Sequence, residues 1–418
     1  MFYFLIIFTP MFKSYKYRIE PTKSQEEILT QYFGACRWIY NRQLNRRIEA
    51  YQTTKTKIGA NDLIKEITFL KKQEELSWLS VTPVQCLQGA IRNMDSAFTK
   101  FFRQKTGFPN FKSKNDLKQS VQFFTNFNID FEKKLIKIPK IDELIKCRID
   151  RTFEGKIRNV TLSRTPTKKY FVSILVDNNM ALPNKAPIQE STAIGIDVGI
   201  KDFAVLSDGE KIANPHHYRD SEKRLKCLQR RLAKKQKGSK RRNKAKLSVA
   251  KCHEKIANQR KDFLHKLTTK IVAENQSIVI EDLAVDNMLK NHCLSKAISS
   301  VAWSEFFRQL QYKSDWNGKN LIRIGRFEPS SKMCTCGVIN KELKLSDRNW
   351  TCKSCNTTHD RDLLAANNIK RFGLTFQNLV SYSPAESGGE HVELLLFGRA
   401  EKREDKLLKN SKLFHGRS

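Results

Sequence analysis

Hydrophobic positions along the chain change period several times, and each change marks an element. "SYKYRIEP" alternates with period two and reads as a strand stopped by Pro21. "TKSQEEILTQYFGACRWIYNRQLNRRIEAY" then takes helical spacing, with Thr22 and Gln25 set as a capping box. Two more helical segments are expected near Asp62 to Glu75 and from Thr82 to Gln104, the second carrying Val84, Leu87, Ile91, Met94 and Phe98 on one face. From Ser120 to Asp177 the period returns to two: "SVQFFTNFNI", "KLIKIPKI", "KCRID", "IRNVTLSR" and "KKYFVSILVD" read as short strands, a spacing that suggests a small barrel or sandwich.

"NNMALPNKAPIQEST" (178–192) has two prolines and little pattern, and reads as a linker. After it come a buried strand "AIGIDVG", a hairpin turning at Asp208 and Gly209, a helical stretch from Ser221 to Lys261, and a second buried strand "SIVIEDL". A helix from Trp303 to Trp316 and a strand in "LIRIGRF" complete an α/β layer domain. From about Gly373 onward, apart from "VELLLFG", the sequence is charged and weakly patterned and reads as a flexible tail.

Charge changes the picture more than composition does. At 418 residues and 39% hydrophobic the chain suits two or three folded domains, but 77 Lys and Arg against 43 Asp and Glu leave it at +34. A surface that basic calls for a polyanion, and nucleic acid is the expected one. Arg219 to Lys261 holds 18 basic residues against 3 acidic, with Leu225, Leu228 and Leu232 as its inner face and Gly238 as the turn of a hairpin. Arg230, Arg231, Lys234, Lys235, Lys237, Lys240, Arg241 and Arg242 are its candidate phosphate contacts; a solvated basic hairpin is the alternative. "FTKFFRQKTGFPNFKSK" interleaves Phe101, Phe102, Phe108 and Phe111 with cations including Arg103, Lys105 and Lys112, which suits base stacking or, equally, core packing. "MFYFLIIFTP" is too short to span a bilayer, lacks a basic n-region and a cleavage site, and reads as an upstream extension before Met11. No other apolar run reaches transmembrane length, so a soluble, cytoplasmic or nucleoid-associated protein is expected.

Three acids stand where an unpaired carboxylate is costly. Asp197 and Glu281 each end an apolar strand, and Asp362 opens the helix in "THDRDLLAANNI", where Asp360 and Asp362 could also serve only as caps. In a basic chain such acids suit Mg²⁺ held against phosphate oxygens, two ions together supporting phosphodiester hydrolysis. Cys334 and Cys336 form a C-x-C pair and Cys352 and Cys355 a C-x2-C pair, close to the spacing of a structural zinc site, with His359 as a possible substitute ligand. The other six cysteines (Cys36, Cys86, Cys147, Cys227, Cys252, Cys293) read as buried small hydrophobes.

The order "GIDVGIKDFAVLSDG", basic hairpin, "IVIEDL", "EPSSKMCTCG", "LSDRNWTCKSC" and "HDRDLLAANNI" resembles the TnpB family, transposon-encoded relatives of the type V CRISPR effectors; the likeness runs from about Phe12 to Phe372. The resemblance implies an α+β multidomain protein: a β-barrel wedge domain (11–177) with a helical recognition insertion (about 22–115), then an RNase H-like, RuvC-type nuclease domain (193–372) with an inserted zinc ribbon (329–358). It implies a guide RNA from the transposon end, double-stranded target DNA as substrate, and Asp197, Glu281 and Asp362 as the metal-binding catalytic carboxylates. Two positions depart from the family pattern: the first cysteine pair is one residue tighter, and Leu364 stands where Asn is usual. These departures motivate an alternative, a nuclease-inactive RNA-guided DNA-binding regulator or transposon remnant. A DNA-strand transferase ranks last, because no paired-His and Tyr arrangement is present.

Overall fold

Thr22 ends one element and begins the next. Its hydroxyl accepts from the Gln25 amide at 3.4 Å while the Gln25 side chain accepts from the Thr22 amide at 3.0 Å, closing the expected capping box. Strand β1 (Pro10–Glu20) precedes it and helix α1 (Lys23–Thr54) follows. The computed structural model describes residues 10–104, 106–116, 119–344 and 346–376. The expected upstream extension, apart from Pro10, the tail beyond residue 376 with its "VELLLFG" run, and Lys105 therefore lie outside the described residues.

Two compact units make up the described chain: residues 10–187 with 215–276 and 285–321, and residues 188–214 with 277–284 and 322–376. In the first, α1 presents Leu29, Tyr32, Phe33, Cys36, Ile39, Tyr40 and Leu44 on one buried face. Helices α2 (Ala60–Lys72) and α3 (Val84–Gln104) follow, and then strands β2 (Gln119–Phe123), β3 (Asn128–Asp130), β4 (Leu135–Lys137), β5 (Ile145–Arg148), β6 (Lys156–Arg164) and β7 (Tyr170–Ala181).

With β1 they form one antiparallel sheet in the order β2-β6-β7-β1-β5-β4-β3. The expected barrel is an open half-barrel. β3 and β4 are three residues each, and among the described residues no ladder joins β3 to β2. The apolar side of the sheet (Tyr17, Ile19, Val160, Leu162, Val172, Ile174) shares a single core with α1, α2 and α3, so helices cover what a closed barrel would cover with strands. Burying each such aliphatic side chain stabilises the fold by about 1.5–3 kcal/mol.

The basic hairpin is α4 (His217–Ala233) and α5 (Lys240–Glu274), and Gly238 makes the turn at φ +86°. α5 runs well past the expected end at Lys261. Leu225 and Leu228 pack on Cys252 and Ile256. Helices α6 (Val285–Met288) and α7 (Ser295–Val301), which the sequence did not reveal, lead to α8 (Trp303–Trp316). α8 is tied to α5 by the Thr268 hydroxyl donating to Gln309 at 3.0 Å. Of the six scattered cysteines, Cys36, Cys86, Cys147 and Cys252 are buried, but Cys227 and Cys293 are exposed: one lies off the leucine face of α4, the other in the loop before α7.

The second unit is a five-stranded sheet in the order β10-β9-β8-β11-β12, built from β8 (Ala193–Val198), β9 (Asp202–Leu206), β10 (Lys211–Ala213), β11 (Ser277–Glu281) and β12 (Asn320–Ile324). β8 and β11 run parallel, while β9 lies antiparallel to both β8 and β10. A two-stranded piece, β13 (Asn349–Thr351) with β14 (Thr358–Asp360), leads into α9 (Arg361–Phe376). α9 lies directly on β8 because Gly195 has no side chain: a Cβ there would stand 2.1 Å from the Ala366 carbonyl oxygen and 2.7 Å from the Lys370 nitrogen.

Backbone atoms cannot yield as a flexible side chain can. Gly195→Ala is therefore expected to lower the thermal midpoint by the equivalent of at least about 1–3 kcal/mol. A calorimetric scan against the parent checks this, and an unchanged midpoint would show that α9 can lift at no cost.

Candidate active site

Each of the two central strands is an apolar run that ends in an acid. Ala193 to Ile196 and Ser277 to Ile280 are fully buried, whereas Asp197 and Glu281 are only partly so. The parallel register pairs Ile196 with Ile280, which sets Asp197 beside Glu281 at the same end of neighbouring strands. α9 supplies the third acid. Asp360 is the cap, accepting from the amides of Asp362 at 3.0 Å and Leu363 at 3.2 Å, with Lys211 2.6 Å from its other oxygen. That frees Asp362 from capping, and its two oxygens accept instead from Arg348 at 2.9 and 3.2 Å.

Burial and like charge act together on Asp197. The Asp197 carboxyl is pushed up to about 8, first by burial and then by the charges of Glu281 and Asp362, with Arg361 opposing. Burial also raises Glu281, and the Ser330 hydroxyl, donating at 2.6 Å, opposes the rise. Among the described residues, only the cysteine quartet brings three or more His, Cys, Asp or Glu donors all within 4.8 Å of one another. Carboxylates that repel one another while half-buried form a donor set that hard cations satisfy, so these residues fit Mg²⁺.

The cysteine module fits a metal more directly. Cys334, Cys336, Cys352 and Cys355 converge, with Cys334 and Cys355 sulfurs 3.4 Å apart and those of Cys336 and Cys352 3.7 Å apart. The tight first pair does not keep either member out: Gly337, at φ +90°, turns the chain straight after Cys336. His359 is buried with Nε2 3.0 Å from the Cys334 sulfur and its ring against Trp350. Hydrogen bonding with Thr357 holds the Cys355 thiol down at about 6, whereas burial pushes Cys334 up to about 12. Leu364, the departure from the family pattern, is 4% exposed and packs on Cys334, Trp350 and Cys352. It closes the module's core.

The basic candidates all belong to the first unit. Arg230, Arg231, Lys234, Lys235, Lys237, Lys240 and Arg241 are exposed along the hairpin. Arg242 is turned inward and donates to the carbonyls of Leu232 at 3.0 Å and Lys235 at 2.7 Å, so its charge closes the end of α4. Arg103 is exposed at the end of α3, and the Lys112 ammonium lies 4.0 Å over the Tyr40 ring. Phe101 and Phe108 pack against each other, while Phe102 is 73% exposed.

Arg348, Ser330 and Lys211 escaped the sequence reading because each meets its acid across a long chain separation. A groove along α1 lined by Arg37, Trp38, Asn41, Arg42 and Arg46 was also missed, although the four-residue spacing of Arg37 with Asn41 and of Trp38 with Arg42 and Arg46 is visible in the sequence.

Family models match in three places: the IS605-type OrfB "Probable transposase" model over residues 172–292, the "Cas12f1-like, TNB domain" over 303–369, and an OrfB "Helix-turn-helix domain" over 11–56. A Streptomyces pristinaespiralis protein named "Putative RNA-guided DNA endonuclease" is 40% identical over 365 residues, covering 87% of this chain and 89% of its own. The Escherichia coli K12 protein named "Putative RNA-guided DNA endonuclease InsQ" is 30% identical over 376 residues, covering 86% and 92%. Among solved structures, the Cas12f1 protein from a complex with sgRNA and target DNA shares the fold at a TM-score of 0.52 and 16% identity, over 84% of this chain and 83% of that one. With likeness of that extent, this chain belongs to the TnpB family, the IS605-type OrfB proteins. Among the described residues no helix is long and apolar enough to cross a membrane.

The Asp197 shift carries a sign that can be tested. Its folded-state value of about 8 lies above the unfolded one near ~4, so its ionised form is disfavoured in the fold and stability drains away as pH rises through that window. Metal-free protein is expected to fall behind Asp197→Asn in thermal midpoint as pH goes from 5 to 8. A gap between the two that is independent of pH would show that Asp197 is not held neutral.

Proposed function

We infer that this chain is a guide-RNA-directed DNA endonuclease of transposon origin that hydrolyses phosphodiesters at Asp197, Glu281 and Asp362. The observation that carries the reading is Asp197 and Glu281 at adjacent strand ends, within electrostatic reach of Asp362, which Asp360 frees from capping, inside a protein of charge +34. On this reading the second unit's sheet and α9 are an RNase H-like, RuvC-type core, and β13–β14 with the four cysteines is a zinc ribbon. The half-barrel with α1 to α3 is then the wedge domain with its recognition insertion.

Asp197, Glu281 and Asp362 would hold Mg²⁺, two ions in the usual form of this chemistry, which when bound activates a water and stabilises the leaving oxygen. The chain's own part is to orient. The strand register fixes Asp197 beside Glu281, Ser330 holds one oxygen of Glu281, and Arg348 balances the charge of Asp362. The exposed cations of the α4–α5 hairpin, with Arg103 and Lys112, suit the backbones of guide RNA and target DNA, while base pairing supplies sequence specificity. Lys105 stays with them on sequence grounds alone. Four thiolates leave no open position, so zinc would be structural, about one per chain, held by Cys334, Cys336, Cys352 and Cys355.

Protein co-expressed with its native flanking DNA is expected to cut a target-library plasmid only with Mg²⁺, and Asp362→Ala to reduce cutting at least ~100-fold. Guide-dependent binding without cutting by the parent protein would replace this reading with that of an RNA-guided binding protein. Metal analysis is expected to find zinc in the parent and to miss it in Cys352→Ser, whose thermal midpoint should drop. Retention of zinc by that variant would remove Cys352 from the ligand set.

A further inference from the structure

We propose that Ser330 and Asn368 are positioning residues that lock the Glu281 carboxylate to the cysteine module, so that the ribbon helps set divalent-metal affinity at the acids. The proposal rests on the nuclease reading of that site and extends it to residues beyond the three acids.

Ser330 is 8% exposed, and its hydroxyl reaches Glu281 Oε1 at 2.6 Å from 49 residues along the chain. A carboxylate with one oxygen fixed in this way has lost a rotational freedom that a cation would otherwise have to remove. Ser330 is itself held. Asn368, 2% exposed on α9, donates through Nδ2 to the Ser330 carbonyl at 2.7 Å and to the Met333 carbonyl at 2.6 Å.

Met333 immediately precedes Cys334, and its amide closes on the Pro329 carbonyl at 3.0 Å, so residues 329–333 form one hydrogen-bonded turn that leads straight into the first cysteine. A single buried amide thus joins the turn that leads to the first cysteine with the helix that carries Asp362, and through the Ser330 hydroxyl with Glu281. Arg371, one turn further on, braces the same turn by donating to the Met333 sulfur at 3.0 Å.

The test uses the full chain with Mn²⁺ as the probe, bound Mn²⁺ being read by electron paramagnetic resonance and zinc content by metal analysis. Ser330→Ala is expected to weaken the Asp197-dependent Mn²⁺ site about tenfold, with zinc content and thermal midpoint retained and Ser330→Thr restoring affinity. Asn368→Leu, which keeps bulk but removes both donors, is expected to weaken Mn²⁺ binding in the same way and to speed zinc release to a chromogenic chelator. Unchanged Mn²⁺ affinity in Ser330→Ala overturns the relay alone. A loss that Ser330→Thr does not rescue, or that falls in step with zinc content and midpoint, also overturns it, because the residue would then only hold the fold. A parent protein with no Asp197-dependent Mn²⁺ site would sink the nuclease reading and the relay with it. Should Asn368→Leu fail to fold, the Ser330 pair still decides.

Discussion

The approach of α9 to β8 over Gly195 is the contact on which the rest of the second unit depends. Helices usually rest on sheets through side chains that keep the two backbones well apart; here the Ala366 carbonyl occupies the space of a missing Cβ. Gly373 makes room one strand over in a different way, where a Cβ would meet the Val279 side chain at 2.4 Å. The two glycines seat the helix across β8 and β11, and Ile369 joins Val279, Ile322 and Ile324 in the small core beneath it. Because the seat is set by backbone, the start of the helix is set too, and with it the distance from Asp362 to the two strand-end acids.

That placement is electrostatically unfavourable by itself, which is why it is informative. A half-buried Asp197 driven to about 8 by burial and two like charges is a local conflict that the surrounding packing maintains. The neighbouring cations moderate it without removing it: Lys211 engages the cap Asp360, and Arg348 engages Asp362. Conflict of this kind concentrates where charge is to be neutralised by something the chain does not encode. The cysteine quartet states the same need in softer ligands.

Much of this was legible in the sequence because it is written locally. The placement of Asp197 and Glu281 could be read since each ends a short buried strand, and the cysteines since two close pairs at this separation are a local signal. From the residues alone Asp360 and Asp362 could not be told apart, because which of two acids caps a helix depends on where the helix begins; only the family resemblance singled out Asp362. The closed barrel failed for a different reason: period two specifies strands and faces but not whether the outermost strands meet. Ser330, Arg348 and Asn368 are ordinary polar residues in their own neighbourhoods, and only the folded chain brings them to Glu281, to Asp362 and to the turn before Cys334. Leu364 shows the reverse case, a departure that looks damaging in a motif and is ordinary packing in the fold.

The second unit is assembled from three stretches far apart in the chain, 188–214, 277–284 and 322–376. Non-local assembly of this kind is slow, because loops must close before contacts repay them. It also imposes an order during synthesis, since a ribosome delivers Asp197 first, Glu281 much later and Asp362 later still. Chains that stop early can complete the half-barrel and its helices yet never own the full set of acids. A chain ending before α9 would therefore keep its basic hairpin while lacking the third acid, so the like-charge conflict at Asp197 reaches full strength only when α9 has joined the sheet.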